Sequence, residues 1–275
     1  MRKCLGFGVL LGCLPAFAWG PEGHNLVARI AEAELTPAAR ARVAEILGPG
    51  QTMASVSSWA DRARNSHPET GPWHYVDIPI GKGHLDMQRD CAKGDCVVAK
   101  IEEFRGVLRD PSATPEKRRE ALMYIIHLVG DMHQPLHSSD NHDRGGNEVR
   151  TQFNERTGNL HALWDGVLLA RMGNEQALYP KLSADAERHR RKWSKGTVRD
   201  WADSTHKAAK KTVYGKLPKL KHVPAPSAQA LASPTVALTP VVIGAGYEQK
   251  VDPLIAQQIE KAGVRLASVL NASLQ

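Results

Sequence analysis

Residues 114–137 read TPEKRREALMYIIHLVGDMHQPLH, and the fold turns on how this stretch is understood. Thr114-Pro115 joins a helix-capping hydroxyl to a first-turn proline. Beyond them Ala121, Leu122, Ile125, Ile126, Leu128 and Val129 cover most sides of a helix running to about Met132, so this helix is expected to be buried. It nonetheless carries His127 and Asp131, one turn apart on one face. A carboxylate in such surroundings is costly unless it is paired or bound to a metal. Pro135 stops the helix and His137 follows, giving a His-x3-Asp-x5-His pattern.

The same device recurs in His161 and Asp165, four residues apart on a second expected helix. One such pair is ordinary helical hydrogen bonding; two pairs with a third histidine point to metal. Asp61, in Ser58-Trp59-Ala60-Asp61, and His74, in Trp73-His74-Tyr75-Val76-Asp77, add ligand-type side chains beside tryptophans that dry a site. Histidine and aspartate without cysteine suit zinc held for catalysis better than a structural thiolate cage. His67, His84, His133, His189, His206 and His222 have no comparable spacing, and the His142-Asp143 doublet sits in a Gly-rich loop without the helix and partners that such a metal pair requires, so all are read as non-ligands.

Start and stop signals make the chain nearly all α, with two or three short strands at most. Thr36-Pro37 opens a helix that Gly48 closes, and Asp252-Pro253 is read as the start of a last helix reaching about Leu270. Further helices are expected at roughly 24–34, 54–64, 159–172, 184–193 and 198–213. Residues 217–240 hold five prolines without helical period and read as an irregular connection. The amphipathic last helix must pack back on the body, which makes residues 19–275 one expected domain, and no internal repeat is visible.

Residues 1–18 have the three-part pattern of a secretory signal: cationic Arg2 and Lys3, an apolar run to Phe17, and a small-x-small site ending at Ala18. A competing lipoprotein reading would place a lipid on Cys13. The apolar run is too short to span a bilayer and no later run is longer, so an exported, soluble protein is expected. Its removal lowers the net charge from +7 to +5 over the remaining 257 residues and leaves only Cys91 and Cys96. In an oxidising compartment that pair reads as a local disulfide; half of a thiolate zinc site is the other reading. Between Arg188 and Lys221 lie 12 Lys or Arg residues against Asp200 and Asp203, a charge that could steer a polyanion but also suits a solvated helical surface.

With these residues in view, the chain resembles the zinc-dependent single-strand nucleases of the S1/P1 type, which share an all-α fold with bacterial zinc phospholipase C. The resemblance spans most of the mature chain: Trp19-Gly20-x3-His24, Trp59-Ala60-Asp61 with Arg64, Trp73-His74-Tyr75, His127-x3-Asp131-x5-His137, Gly145-Gly146-Asn147, Asn159-Leu160-His161-x2-Trp164-Asp165 and Ala262-Gly263-x-Arg265-Leu266-Ala267. It implies three zinc ions. Asp61, His74, His127 and Asp131 would hold the first, His137, His161 and Asp165 the second, and His24 with the amine and carbonyl of Trp19 the third, Asp131 bridging to it. The terminal amine exists only after cleavage at Ala18, which argues against the lipid at Cys13.

The resemblance further implies a phosphodiesterase that cuts single-stranded DNA and RNA to 5′-phosphorylated products, with 3′-nucleotidase activity as a possible addition. Arg64 would brace the phosphate, Tyr75 stack on a base and Asp77 accept hydrogen bonds from the base edge. Cys91 and Cys96 fall where family members have a short disulfide loop. Gly166 departs from the polar side chain of some relatives, which leaves base preference open. No stable protein partner, no membrane association and a monomer are expected. Two rivals stand beside this reading. A zinc phospholipase C would have the first histidine further from the N-terminal tryptophan and a glutamate in place of Asp165. A non-catalytic zinc-dependent nucleic-acid-binding protein would enclose its metals fully.

Overall fold

The computed structural model describes residues 19–218 and 240–275. The signal sequence, Cys13 and all but the ends of the 217–240 connection lie outside the described residues. The fold is mainly α with one small sheet.

At its centre is α7 (Pro115–His133), buried on every side from Ala121 onward. Thr114 caps it, its hydroxyl accepting from Lys117 N. Around α7 pack α1 (Gly20–Ala33), α2 (Pro37–Leu47), α6 (Val97–Arg109), α11 (Val198–Ala208) and α12 (Ala245–Ser273). Thr36 and a left-handed Gly48 bound α2 as the sequence indicates. The remaining helices are short: α3 (Met53–Val56), α4 (Trp59–Ala63), α5 (Met87–Asp90), α8 (Leu160–Ala162) and α9 (Leu168–Met172), with α10 (Glu175–Trp193) the exception. A hairpin of β1 (Arg150–Phe153) and β2 (Arg156–Asn159) is joined by β3 (Val241–Ile243), which runs parallel to β1.

The helix boundaries read from the sequence need correction at several places. The helix expected at 54–64 is two short pieces, α3 and α4. The last helix begins at Ala245, seven residues before Asp252, and carries Pro253 in its interior. Tyr247 explains the extension: its buried hydroxyl donates to Val213 O and accepts from Trp164 Nε1, anchoring the first turn. Likewise α10 starts at Glu175, capped by Asn174, and carries Pro180 inside. Finally, α6 was not anticipated at all; it follows Cys96, which makes no side-chain cap. The Cys91–Cys96 disulfide, with Cα atoms 5.6 Å apart, leads directly into it.

The last helix reaches α1 by a close approach at Gly263, where a Cβ would come within 2.4 Å of Ile30 Cγ2 and 2.6 Å of Ile30 Cβ. Gly263→Ala is therefore expected to cost about 1–3 kcal/mol through overpacking, read as a lowered midpoint in denaturant titration. An unchanged midpoint would mean the two helices can separate freely.

Candidate metal centre

The titratable side chains of α1, α4, α7 and the two short turns beside them meet in the dry interior. Asp131 and His127 lie on α7 with no exposed surface, and His24 on α1 faces them, equally buried. The His24 ring stacks on His127 at 4.0 Å between centroids. It fits there because position 130 is glycine: a Cβ at Gly130 would lie 2.8 Å from His24 Nδ1.

Asp131 faces two ways. Its Oδ2 is 2.8 Å from His74 Nδ1 and 3.2 Å from His127 Nε2, while Oδ1 is 3.2 Å from His24 Nε2. Asp61 on α4 brings Oδ1 to 3.6 Å from His127 Nε2. His74 ends a 3₁₀ turn, Pro68–His74. Asp61, His74 and His127 thus form one cluster, and His24, His127 and Asp131 a second. His127 Nδ1 donates to Ser57 O, so its one remaining nitrogen can serve only one of them.

A third cluster joins His137, His161 and Asp165. His137 sits in a 3₁₀ turn, Pro135–Ser138, and His161 in α8. Asp165 lies in a π-helical turn, Leu163–Val167, where a straight helix was expected over 159–172. Such wide turns insert one residue and are frequent at functional sites. His137 Nδ1 donates to His74 O and His161 Nδ1 to Gly145 O. Both Nε2 atoms therefore present lone pairs, and they face each other at 3.1 Å. Burial, and then the neighbouring His161, push His137 down to about 3, so the ring stays neutral. Asp165 Oδ2 is 3.5 Å from His161 Nε2, and burial raises its carboxyl well above the usual range.

The donor set fits metal cations. Opposed neutral imidazole nitrogens repel unless a cation lies between them. His24 Nε2, Asp61 Oδ1 and Asp131 Oδ1 are buried without a hydrogen-bond partner although complementary atoms lie within 3.6 Å. Atoms turned toward a shared ion, and not toward each other, have this geometry. Around His127 burial presses the imidazolium down, yet Asp131 and Asp61 outweigh it and hold it up at about 10. The pocket attracts positive charge.

The other site residues from the sequence lie at the rim or next to it. Tyr75 is 39% exposed and Val76 is buried, and Asp77 is exposed again, so this extended segment turns Tyr75 and Asp77 to one outer face. Val76 N donates to His137 O and Asp140 N to Ile78 O, which ties the segment to the turn bearing His137. Although Asp77 reaches the surface, desolvation and then the Asp140 and Asp90 carboxylates raise it to about 6. Arg64 caps the C-terminus of α4, and its charge is felt at Tyr75, His161 and Asp165. Trp19 immediately precedes α1 and is fully buried; the next residue, Gly20, lies against the Asp165 carbonyl.

Among the described residues, none of the histidines read as non-ligands joins a cluster. His133 donates from Nδ1 to Val129 O and accepts from the buried Arg265, a helix-packing role. His206 bonds Ser139 Oγ and Lys82 O. Two residues that shape the centre escaped the sequence reading: Gly130, and the fully buried Gln134, whose Nε2 donates to Asp165 Oδ1 at 2.6 Å. The only signal for either was position, one residue before Asp131 and midway between Asp131 and His137.

Residues 19–275 match the family model described as S1/P1 Nuclease. The chain is 31% identical to Nuclease PA3 of a Penicillium species and 30% identical to Nuclease P1 of Penicillium citrinum, in each case covering 92% of this chain and 97% of the relative. It is 29% identical to Endonuclease 2 of Arabidopsis thaliana, over 92% of this chain and 89% of that protein.

Gly130→Ala should push the His24 ring off its seat while leaving helix content intact. Elemental analysis after metal loading is expected to find one ion fewer per chain than in the unsubstituted protein; equal content would show that His24 is dispensable for binding.

Proposed function

The chain belongs to the S1/P1 nuclease family, and on that footing we propose that it is a three-zinc endonuclease that hydrolyses single-stranded DNA and RNA to 5′-phosphorylated products. Family membership makes it a phosphodiester hydrolase and metal-dependent. The observation that carries the finer reading is the three buried His/Asp clusters, two of which meet at Asp131 and His127. Asp61, His74, His127 and Asp131 Oδ2 would hold one zinc, His137, His161 and Asp165 another, and His24 with Asp131 Oδ1 a third, completed by the amine and carbonyl of Trp19. When bound, zinc supplies positive charge that stabilises developing oxyanions and makes water acidic enough to attack at neutral pH.

The chain's own residues do the rest. Backbone carbonyls hold the imidazoles of His127, His137 and His161 in one tautomer. Arg64 offers a planar fork to the phosphate. The exposed Tyr75 ring stacks on an unpaired base, and Asp77 on the same face accepts from its edge. Stacking of this kind requires an accessible base face, which favours single strands over duplex. Departure of the 3′ oxygen leaves the phosphate on the 5′ side.

The same reading makes residues 19–275 one catalytic domain, exported after cleavage at Ala18 and acting as a monomer. The disulfide supports export, and among the described residues no helix is long and apolar enough to cross a membrane.

Purified mature protein, incubated with single-stranded and duplex DNA and RNA with and without chelator, tests the proposal. Mass spectrometry is expected to read Trp19 as the first residue, and elemental analysis three zinc ions per chain. Cleavage should favour single strands, leave 5′-phosphates and stop on chelation. Release of phosphocholine in place of nucleotides, or chelator-resistant activity, would overturn it.

Asp77 gives a pH signature. It is protonated below about 6 and anionic above, so KM should rise as the pH falls through 6. In Asp77→Asn the ratio of its KM to the native value should shrink below pH 6. A ratio constant from pH 5 to 7 would exclude Asp77 from base contact.

A further inference from the structure

We propose that Gln134 is a positioning residue for the His137–His161–Asp165 cluster, setting which oxygen of Asp165 is offered to metal. This rests on the metal reading of that cluster given above.

Gln134 has no exposed surface. Its position is unusual in serving three elements together. It is the C-cap of α7, its own N–H donating to Asp131 O at 2.9 Å. It is also the N-cap of the 3₁₀ turn that carries His137, its Oε1 accepting from Leu136 N at 2.6 Å. That bond fixes the amide, because an oxygen held by a backbone N–H leaves the NH2 group facing the other way. The NH2 group meets Asp165 Oδ1 at 2.6 Å.

The consequence for Asp165 is specific. One oxygen is occupied by an amide proton and lies 4.0 Å from His137 Nε2; the other, Oδ2, lies 3.5 Å from His161 Nε2. The carboxylate is thereby offered to an ion through one oxygen, which leaves coordination positions for water and substrate. Gln134 thus braces Asp165 through a side chain, whereas His137 and His161 are each held by a main-chain carbonyl. Removal of a hydrogen-bonded partner of a metal ligand typically costs 10–100-fold in metal affinity or activity.

The test is Gln134→Met, similar in length and unable to donate or accept strongly, in the full mature protein. The readouts are zinc affinity by chelator competition, the visible spectrum of the cobalt-substituted protein, and kcat and KM separately. The variant is expected to lose affinity at one ion of three by about 10–100-fold, to alter the cobalt spectrum, and to retain the other two ions. Unchanged affinity and spectrum with only a lowered Tm would make Gln134 a mere helix cap and overturn the proposal. If Gln134→Met fails to fold, Gln134→Asn keeps a capping oxygen for the 3₁₀ turn and, one methylene shorter, withdraws the NH2 group from Asp165. A native cobalt spectrum in that variant would equally overturn it, and an altered one support it. An unsubstituted protein that binds no metal at His137, His161 and Asp165 would instead refute the underlying metal assignment.

Discussion

A fully buried carboxylate, Asp131, is the constraint around which the molecule is arranged. In the apolar centre of α7 its two oxygens point to separate groups of imidazoles. Transferring a lone carboxylate from water into such surroundings costs many kcal/mol, so the arrangement is tenable only if cations are gathered on both sides of it. The rest follows from bringing imidazoles and a second carboxylate into reach. His24 arrives from α1 over a glycine, His74 from a 3₁₀ turn, and Asp61 from a helix of five residues. The long helices α1 and α7 carry His24, His127 and Asp131, while short helices and turns deliver the other side chains of the clusters.

The separation explains which parts of the molecule the sequence disclosed. The helix α7 was legible because burial and ligands share one strongly marked segment, opened by Thr114-Pro115. The helix α2 was legible for the same reason of clear caps. Boundaries failed where a proline lies inside a helix: Pro253 was taken to mark a start yet sits within α12, and the helix expected at 184–193 extends back past Pro180 to Glu175. Tyr247 anchors α12 by bonding two distant elements, a tertiary effect invisible to local periodicity. The α6 helix lacks a capping side chain and mixes charge with apolar residues, so its amphipathic face becomes evident only against α7.

For the candidate site, residue type and spacing named His127, Asp131, His137, His161 and Asp165, the tryptophan-flanked segments added Asp61 and His74, and His24 came only from the resemblance to the nuclease family. What spacing could not convey is how the groups are shared. Asp131 turns one oxygen to His24 and the other to His74, whereas His127, with Nδ1 given to Ser57 O, can serve only one side. The turn holding Asp165 departs from the α-helical period, so the partner of that carboxylate, Gln134, could not be found by counting along the chain.

The outer nitrogens of His127, His137 and His161 are each spent on a main-chain carbonyl, from Ser57, His74 and Gly145. A carbonyl is common to all amino acids, so no substitution at those three positions can delete the acceptor, provided the chain path survives. The aim of these rings is thus written into backbone course and shielded from mutational drift. Such a centre can keep its shape while the surrounding sequence diverges widely, and an evolutionary weak point is Asp165, whose carboxylate is braced by the side chain of Gln134.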